Sequence, residues 1–302
     1  MNEVNPKLNS TTAGLAFSVN VVSYILVSFL IAIITTVTAL PAESDGYKYL
    51  AYLAAPIALA IGCFATLKYK KQRIGEVAPL KCHYKYYIIA LLMIFGLLFS
   101  VSKINALTLE FLQLLGYTPR EDSSYLPSLK GGLIIPALIV IAVLPAIFEE
   151  FLFRGVISRN VRESVGDVRA ILITGFCFSL FHGSPEQTVY QFISGCAFSF
   201  LAIRAGSILP SILIHFLNNA LIIVLNACGA TGVDGNLVIS QTGNIILTVV
   251  ATLAFVGSIV WLILDKKPLK KCNKGGVASF FIYASVGIVI LTIVWILSFF
   301  GV

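Results

Sequence analysis

Charged side chains are scarce in this chain. Asp, Glu, Lys and Arg make up 12% of its 302 residues, against roughly 25% in an ordinary soluble domain. Hydrophobic residues make up 58%, and many are gathered in runs of about 18 or more, the length that crosses a bilayer as a helix. The composition therefore indicates a membrane protein rather than a soluble one.

Several common signatures of catalysis are also missing. The sequence contains no GxSxG, no HExxH and no glycine-rich loop that could hold a phosphate. The cysteines form no CxxC pair, and most would lie in the membrane or on its cytoplasmic side, where disulfides are rare. We therefore expect apolar packing from most of the six, which are Cys63, Cys82, Cys177, Cys196, Cys228 and Cys272.

The apolar segments predict an all-α, polytopic transmembrane helix bundle of eight or nine spans. The nine candidates lie at about 15–40, 50–67, 86–102, 132–157, 168–182, 185–203, 207–226, 243–264 and 277–300. No basic cluster precedes the first span and no small-residue cleavage site follows, so no cleaved signal peptide is expected. Residues 1–302 form one membrane domain, with N-terminal spans in 15–102, a catalytic core in 132–226 and C-terminal spans in 243–300.

Lysine and arginine are unevenly divided between the two predicted faces. With a cytoplasmic N-terminus, 17 of the 21 fall on the inner side, and the outer side has only Lys48, Lys103, Arg120 and Lys130. This bias is the positive-inside rule and supports that orientation. The net charge of +7 then faces lipid head groups, and we expect no nucleic-acid partner.

Two adjacent acids are the only charged residues between Lys130 and Arg154. A carboxylate in hydrocarbon costs several kcal/mol, so Glu149 and Glu150 suggest a functional site. Glu150 and Arg154 are four residues apart on a helix and can pair. Glu149 is rotated by about 100° and can face a cavity. Pro145 is expected to kink the helix there. The alternative is a purely structural ion-pair cluster that holds two helices together.

Two further polar groups interrupt apolar runs. Phe178 and His182 are one helical turn apart, as are His215 and Asn219. Either pair alone could be structural, since interhelical hydrogen bonds are common in membranes. Ser184-Pro185-Glu186-Gln187 has the form of a capping box, with Ser184 as N-cap. The span that ends at His182 would then be short and its end would lie below the outer surface.

Taken together, these groups predict hydrolysis by activated water. Glu149 would deprotonate the water while His182 holds it, and His215 with Asn219 would stabilise the tetrahedral oxyanion. The expected substrate bond is a peptide bond in a protected cavity.

The three motifs EEFLFR, FSLFH and HFLNN resemble EExxxR, FxxxH and HxxxN of the CPBP (also Abi) family, over about 132–226. That family includes type II CAAX prenyl endopeptidases and bacteriocin-processing or immunity proteins. The resemblance implies an α-helical intramembrane protease with a cavity open to the cytoplasmic side. It implies catalytic roles for Glu149, His182, His215 and Asn219, with Glu150 and Arg154 in support; Phe178 belongs to the second motif.

Metal dependence is left open by these residues. Glu149, His182 and His215 could hold zinc with one open position, but they come from three spans and no HExxH pair is present. We favour a mechanism that requires no cofactor. The functional alternatives are a non-catalytic immunity or partner protein, CAAX prenyl-protein processing, and a proton-coupled transporter, for which no matching repeats are found.

The substrate is not readable from the sequence beyond a peptide or a membrane protein, and neither is the oligomeric state. The Lys- and Ile-rich composition favours a multi-pass protein of a prokaryotic plasma membrane. The lipid bilayer is its expected surroundings, and peptide or protein maturation or bacteriocin self-immunity its expected role.

Overall fold

A computed structural model describes residues 8–119, 126–231, 237–265, 269–270 and 276–301 of the chain. Some features considered above lie outside these residues, namely Lys7, Arg120, Cys272 and most of the basic loop 265–274. Within the described part, helices dominate and no strand is formed. The helices are α1 Ser10–Val37, α2 Asp45–Lys70, α3 Ile74–Val77, α4 Lys85–Phe99, α5 Ile104–Leu114, α6 Ile134–Ala137, α7 Leu144–Glu150, α8 Ser158–Val165, α9 Asp167–Phe181, α10 Thr188–Ala205, α11 Leu209–Ala227, α12 Gln241–Leu264 and α13 Gly276–Phe299.

The predicted all-α, multi-pass membrane fold is confirmed. In the described residues, seven helical stretches are long and apolar enough to cross a membrane: Ser10–Val37, Asp45–Lys70, Lys85–Leu114, Gly131–Val165, Leu209–Ala227, Gln241–Leu264 and Gly276–Phe299. The other two predicted spans are the shorter helices α9, with 15 residues, and α10, with 18. α9 is as short as the sequence predicted, which places its end inside the bundle.

Polar caps mark where three of the long helices begin. The Asn9 side chain accepts from the Thr12 amide at the start of α1, and Ser44 and Ser240 do the same for α2 and α12. Such caps satisfy amides that have no partner within the helix. This matters at a membrane surface, because the first turn has few other acceptors.

The predicted capping box at Ser184 is wrong. Residues 185–187 form a turn, and α10 begins at Thr188 with Gln187 as its N-cap. The Thr188 amide donates to the Pro185 carbonyl, and the Gln187 side chain accepts from Gln191 Nε2 at 3.3 Å instead of reaching back to Ser184. α10 therefore begins at Thr188, three residues later than the predicted start at Pro185.

Glycines let the outer helices approach one another closely. A Cβ at Gly14 would lie 2.4 Å from the Phe280 carbonyl oxygen, and one at Gly62 would lie 2.5 Å from Asn20 Oδ1. These contacts join α1 to α13 and to α2. Close backbone approach at small residues is the usual way that helices pack in membranes.

The bundle has two ends that can be told apart by their connections. At one end, Ile208 N donates to the Pro79 carbonyl, and Gln72 and Asn160 exchange hydrogen bonds at 2.7 and 3.1 Å. We call this the basic end; it comprises the connections 71–84, 166 and 206–208 and the helix termini beside them. At the other end, Lys48 Nζ donates to the Leu126 carbonyl, and we call it the opposite end.

The helical stretch Gly131–Val165 runs from the opposite end to the basic end. It contains two π-helical segments, Leu138–Val143 and Phe151–Ile157, which flank α7. Pro145 follows the first segment and has no amide hydrogen to give to the carbonyl of residue i−4, Ile141. π-helical insertions and prolines both disturb the regular ladder, and here they bracket Glu149 and Glu150.

Candidate active site

A cavity of about 1100 Å³ lies inside the bundle. It is larger than the usual range for small-ligand pockets, about 300–1000 Å³. Its walls come from α1, α2, α7, α9, α10 and α11, and its deeper part contains Glu149, Phe178, His182, His215 and Asn219. The structure thus brings these five residues, predicted from three separate motifs, to one space.

Glu150 and Arg154 form the ion pair that their spacing predicted. Arg154 NH1 lies 2.7 Å from Glu150 Oε1, and both side chains are fully buried. Arg154 NH2 also donates to the Gly195 carbonyl at 3.1 Å. The guanidinium carbon is 4.4 Å from the centroid of the Phe178 ring and 5.0 Å from that of Phe198, so aromatic faces cover the cation. The Arg154 guanidinium therefore contacts residues of α7, α9 and α10 and holds these three helices together.

Glu149 differs from its neighbour in its surroundings. Its side chain lines the cavity, although the residue is only 9% exposed. Its Oε2 atom has no hydrogen-bond partner among the described residues and lies 3.9 Å from His215 Nε2. Glu150 Oε2 also lacks a partner there, but Glu150 does not line the cavity. Of the two adjacent acids, Glu149 is thus the one beside the cavity.

His215 lies between the two acids. Its Nδ1 is 2.9 Å from Glu150 Oε1. An ionised carboxylate only accepts, so Nδ1 carries the hydrogen, and Nε2 is directed toward Glu149. With His215 protonated, the four groups Glu149, Glu150, Arg154 and His215 sum to zero charge, which is the condition under which buried charges are tolerated.

His182 has its orientation set by its own helix. It is the residue directly after α9, and its Nδ1 is 2.8 Å from the Phe178 carbonyl oxygen. Because a carbonyl only accepts, Nδ1 is the donor and the neutral ring has its free lone pair on Nε2. The Phe178 ring lies 4.6 Å from the His182 ring and 6.0 Å from the His215 ring, measured between centroids. Phe178 therefore separates and orients both imidazoles.

Asn219 is held by a chain of side-chain hydrogen bonds. Its Nδ2 donates at 3.1 Å to the carbonyl of Ile141, whose donor in an α-helical register would be residue 145, a proline. Its Oδ1 accepts from Asn218 Nδ2 at 3.1 Å, and Asn218 Oδ1 accepts from the Tyr190 hydroxyl at 3.1 Å. The amide orientation is thereby fixed, and one hydrogen of Nδ2 remains for a ligand.

The contribution of α10 was missed by the sequence analysis. Five of its residues or flanking residues line the cavity: Gln187, Tyr190, Gln191, Ser194 and Phe198. Their spacing of three or four places them on one helical face. A polar stripe in an otherwise apolar span was the signal that could have identified them. Gly195 also gave no motif, yet it supplies a carbonyl to Arg154.

The donor types of a zinc site are present, but not its geometry. Glu149, His182 and His215 line one cavity, and each imidazole has its Nδ1 held by an acceptor, as zinc-ligating histidines do. Across the part of the chain that the structure describes, however, no three His, Cys, Asp or Glu side chains are grouped closely enough to hold a metal ion. The residues as placed do not fit a metal, and no step is derived through one.

Comparison with known proteins supports one relationship. Residues 131–221 match the family model described as type II CAAX prenyl endopeptidase Rce1-like. No curated protein and no solved structure matches the chain. The matched segment contains all three motifs, and the chain is an integral, multi-pass membrane protein. The resemblance predicted from EEFLFR, FSLFH and HFLNN is thus confirmed: residues 131–221 are similar to this family of CPBP-type proteases.

Proposed function

We propose that this protein is an intramembrane endopeptidase that hydrolyses a peptide bond with water activated by Glu149 and His182. One observation carries the proposal: the buried Glu149 side chain lines a large cavity, and its Oε2 atom has no hydrogen-bond partner among the described residues and lies 3.9 Å from an imidazole nitrogen. The structural ion pair of Glu150 with Arg154, by contrast, does not line the cavity. The family match over residues 131–221 supports protease chemistry.

Two hydrogen-bond acceptors, the Glu149 carboxylate and His182 Nε2, activate the water. The Glu149 carboxylate takes one hydrogen of the water, and the His182 Nε2 lone pair orients the other. The water oxygen then attacks the scissile carbonyl carbon, the C=O π electrons move to the oxygen, and the proton passes to Glu149. Glu149 next gives this proton to the leaving amine as the C–N bond breaks. The carboxylate is thereby regenerated.

Two hydrogen-bond donors, His215 Nε2 and Asn219 Nδ2, stabilise the oxyanion. Because His215 Nδ1–H is used by Glu150, donation from Nε2 requires the imidazolium, whose charge Glu150 balances. Asn219 offers the second hydrogen of Nδ2, since the first is bonded to the Ile141 carbonyl. Two preorganised donors in a water-poor site are the usual means of stabilising a tetrahedral intermediate.

For the biological role, we propose maturation of a peptide or protein, or bacteriocin self-immunity, in a prokaryotic plasma membrane. CAAX prenyl-protein processing is the second candidate, because the matching family is described as a type II CAAX prenyl endopeptidase. The two differ in substrate: a prenylated peptide needs an apolar groove beside the cavity, and an unmodified peptide does not. Purified protein given paired prenylated and unmodified peptides of one sequence would decide between them.

The test of catalysis is Glu149→Gln, which keeps the shape of the side chain and removes the base. Loss of a general base typically lowers the rate by about 10²–10⁴-fold. The measurement compares new peptide and protein termini in membranes of cells expressing wild type or variant. Glu43→Gln is the matched control, because Glu43 is an exposed acid that lines the same cavity. Termini that are unchanged by Glu149→Gln would instead support a non-catalytic partner.

The need for a metal is a separate measurement. We expect detergent-purified protein to retain activity after strong chelation, with substoichiometric metal by mass spectrometry. Activity that is lost on chelation and restored by zinc would contradict this expectation and assign Glu149, His182 and His215 as ligands.

A further inference from the structure

The rim of the cavity lies at one end of the bundle. Four rim residues belong to the turn between α1 and α2 or to the first turn of α2: Ala42, Glu43, Tyr47 and Lys48. Leu126, from the connection that precedes Gly131–Val165, lines the same rim. Hydrogen bonds join the two connections, since Lys48 Nζ donates to the Leu126 carbonyl at 3.2 Å and Ser128 N to Asp45 Oδ1 at 2.8 Å. The cavity therefore opens at the opposite end.

The basic end is closed beneath the site. Leu152, Phe153, Val156 and Ile157 follow Glu150 toward that end, and all four are fully buried. The small space on that side of Arg154 measures about 10 Å³, which is room for roughly one water molecule. A peptide cannot reach Glu149 by this route.

The charges of the chain separate the two ends in the same way. Three of the described lysines and arginines lie at or near the opposite end: Lys48, Lys103 and Lys130. The basic end has a much larger set: Lys68, Lys70, Lys71, Arg73, Lys81, Lys85, Arg159, Arg162, Arg169, Arg204 and Lys270. Basic residues close to span ends are retained in the cytoplasm. The basic end is thereby assigned to the cytoplasmic face.

We propose that the cavity opens to the face of the membrane away from the cytoplasm, so that the substrate reaches Glu149 from the outer side. The cytoplasmic opening implied by the family resemblance and the cytoplasmic N-terminus predicted from charge exclude each other in this structure, because α1 spans between the basic end and the rim. The charge distribution is a property of this chain itself, and it decides the orientation.

A substrate class follows, and this part rests on the proposed function. The outer side offers exported peptides and the outer segments of membrane proteins, whereas a cytosolic C-terminal tail would have no path to the site. The rim contains both an acid, Glu43, and a base, Lys48, so it does not select for net charge. The substrate is thus a peptide segment on the extracytoplasmic side.

The test is labelling of single cysteines in intact cells with a membrane-impermeant maleimide. Glu43→Cys reports on the rim and Arg73→Cys on the basic end; both native side chains are exposed. All six native cysteines are first replaced by Ala, because Cys228 is exposed and the partly exposed Cys82 lies at the basic end, so that each variant contains one cysteine. We expect Glu43→Cys to be labelled in intact cells and Arg73→Cys only after permeabilisation. Any other pattern would overturn the proposal, including labelling of both or of neither.

A deeper position tests whether the rim leads to the site. Gln191→Cys lies on the cavity-lining face of α10, and we expect a small charged thiol reagent to modify it from outside. Failure of modification there, with Glu43→Cys labelled, would also overturn the proposal. The same labelling is repeated with Glu149→Gln present. It does not depend on turnover, so a failure of the proposed catalysis and a failure of the proposed access are distinguishable.

Discussion

The cluster of Glu150, Arg154 and His215 beneath the cavity, which we call the floor, holds charge in a different way from the rim. At the floor, Glu150 Oε1 receives both Arg154 NH1 and His215 Nδ1 within 2.9 Å, and all three side chains are buried. At the rim, Glu43 is exposed to its surroundings. Buried charge must be matched by a fixed partner, whereas exposed charge is screened and contributes little. The floor therefore depends on its exact partners and the rim does not.

Glu149 is intermediate between these two regions. It is nearly as buried as the floor, but its side chain lines the cavity as the rim residues do. Its Oε2 atom lies 3.9 Å from His215 Nε2. This difference between two consecutive residues supports the chemical role proposed for Glu149 and a structural role for Glu150.

Removing the cation from the floor should have the largest effect. Arg154→Met keeps a long side chain but leaves the Glu150 charge without its main partner. Breaking a buried pair in this way costs about 3–5 kcal/mol. We expect a corresponding fall in the free energy of unfolding, measured by denaturant titration of the detergent-solubilised protein.

The control for this change is Arg73→Met, at an exposed position of the basic end. Surface substitutions usually stay within about 0.5 kcal/mol. Equal destabilisation by the two variants would show that the floor is no more dependent on its charge pairs than the surface is.

A smaller effect is expected from adding a methyl group where α9 and α10 are in close contact. In Gly195→Ala, the new Cβ would lie 2.9 Å from the Gly175 Cα and 3.1 Å from the Phe178 Cβ. The helices would have to separate, which moves the carbonyl that holds Arg154. Overpacking of this kind costs about 1–3 kcal/mol, and thermal unfolding would measure it.

Gly257→Ala in α12 is the matched control, because nothing lies within 4 Å of its added Cβ. A helical glycine is less favourable than alanine by about 0.5–1 kcal/mol, so this variant should be neutral or slightly more stable. If Gly195→Ala behaved in the same way, close packing of α9 and α10 would not be what positions Arg154.

Some of this architecture could be predicted from the sequence because it depends on local spacing. Apolar length identified the spans, and the four-residue separation of Glu150 and Arg154 predicted their ion pair. The family relationship was likewise readable from three short motifs, and it is confirmed. The catalytic roles of Glu149, His182, His215 and Asn219 stay predictions.

The missed features depend on contacts between distant segments. No local pattern shows that the Gly195 carbonyl meets Arg154, or that Asn219 bonds to the Ile141 carbonyl. The turn at 185–187 was misassigned because its residues match a capping pattern, while the actual bonds join Thr188 to Pro185. The side of the cavity opening also required the fold, since only the packing shows which connections form the rim.

A kinetic effect rather than a loss of stability is expected at Pro145. Pro145→Ala introduces an amide hydrogen close to the carbonyls of the i−5 and i−4 residues, Val140 and Ile141, and in an α-helical register this hydrogen competes with Asn219 for the Ile141 carbonyl. The Asn219 amide would lose its fixed orientation, and the lost hydrogen bond, worth about 0.5–1.5 kcal/mol, corresponds to a fall in kcat of up to roughly tenfold. Pro210→Ala is the control, because Pro210 lies in the first turn of α11, where an amide has no helical acceptor. Unchanged kcat in Pro145→Ala would contradict this role of the proline.

The smallest effect is expected at Tyr190, which is two hydrogen bonds away from Asn219. Tyr190→Phe removes the hydroxyl that donates to Asn218 Oδ1, and Asn218 in turn orients Asn219. A threefold fall in kcat, about 0.65 kcal/mol, lies within the range for one neutral hydrogen bond, and KM should not change, because Tyr190 acts through Asn219 on the transition state. Residues of one network are not additive. Tyr190→Phe should therefore add little when Pro145→Ala has already released Asn219, whereas full additivity of the two changes would mean that the tyrosine acts on the substrate directly.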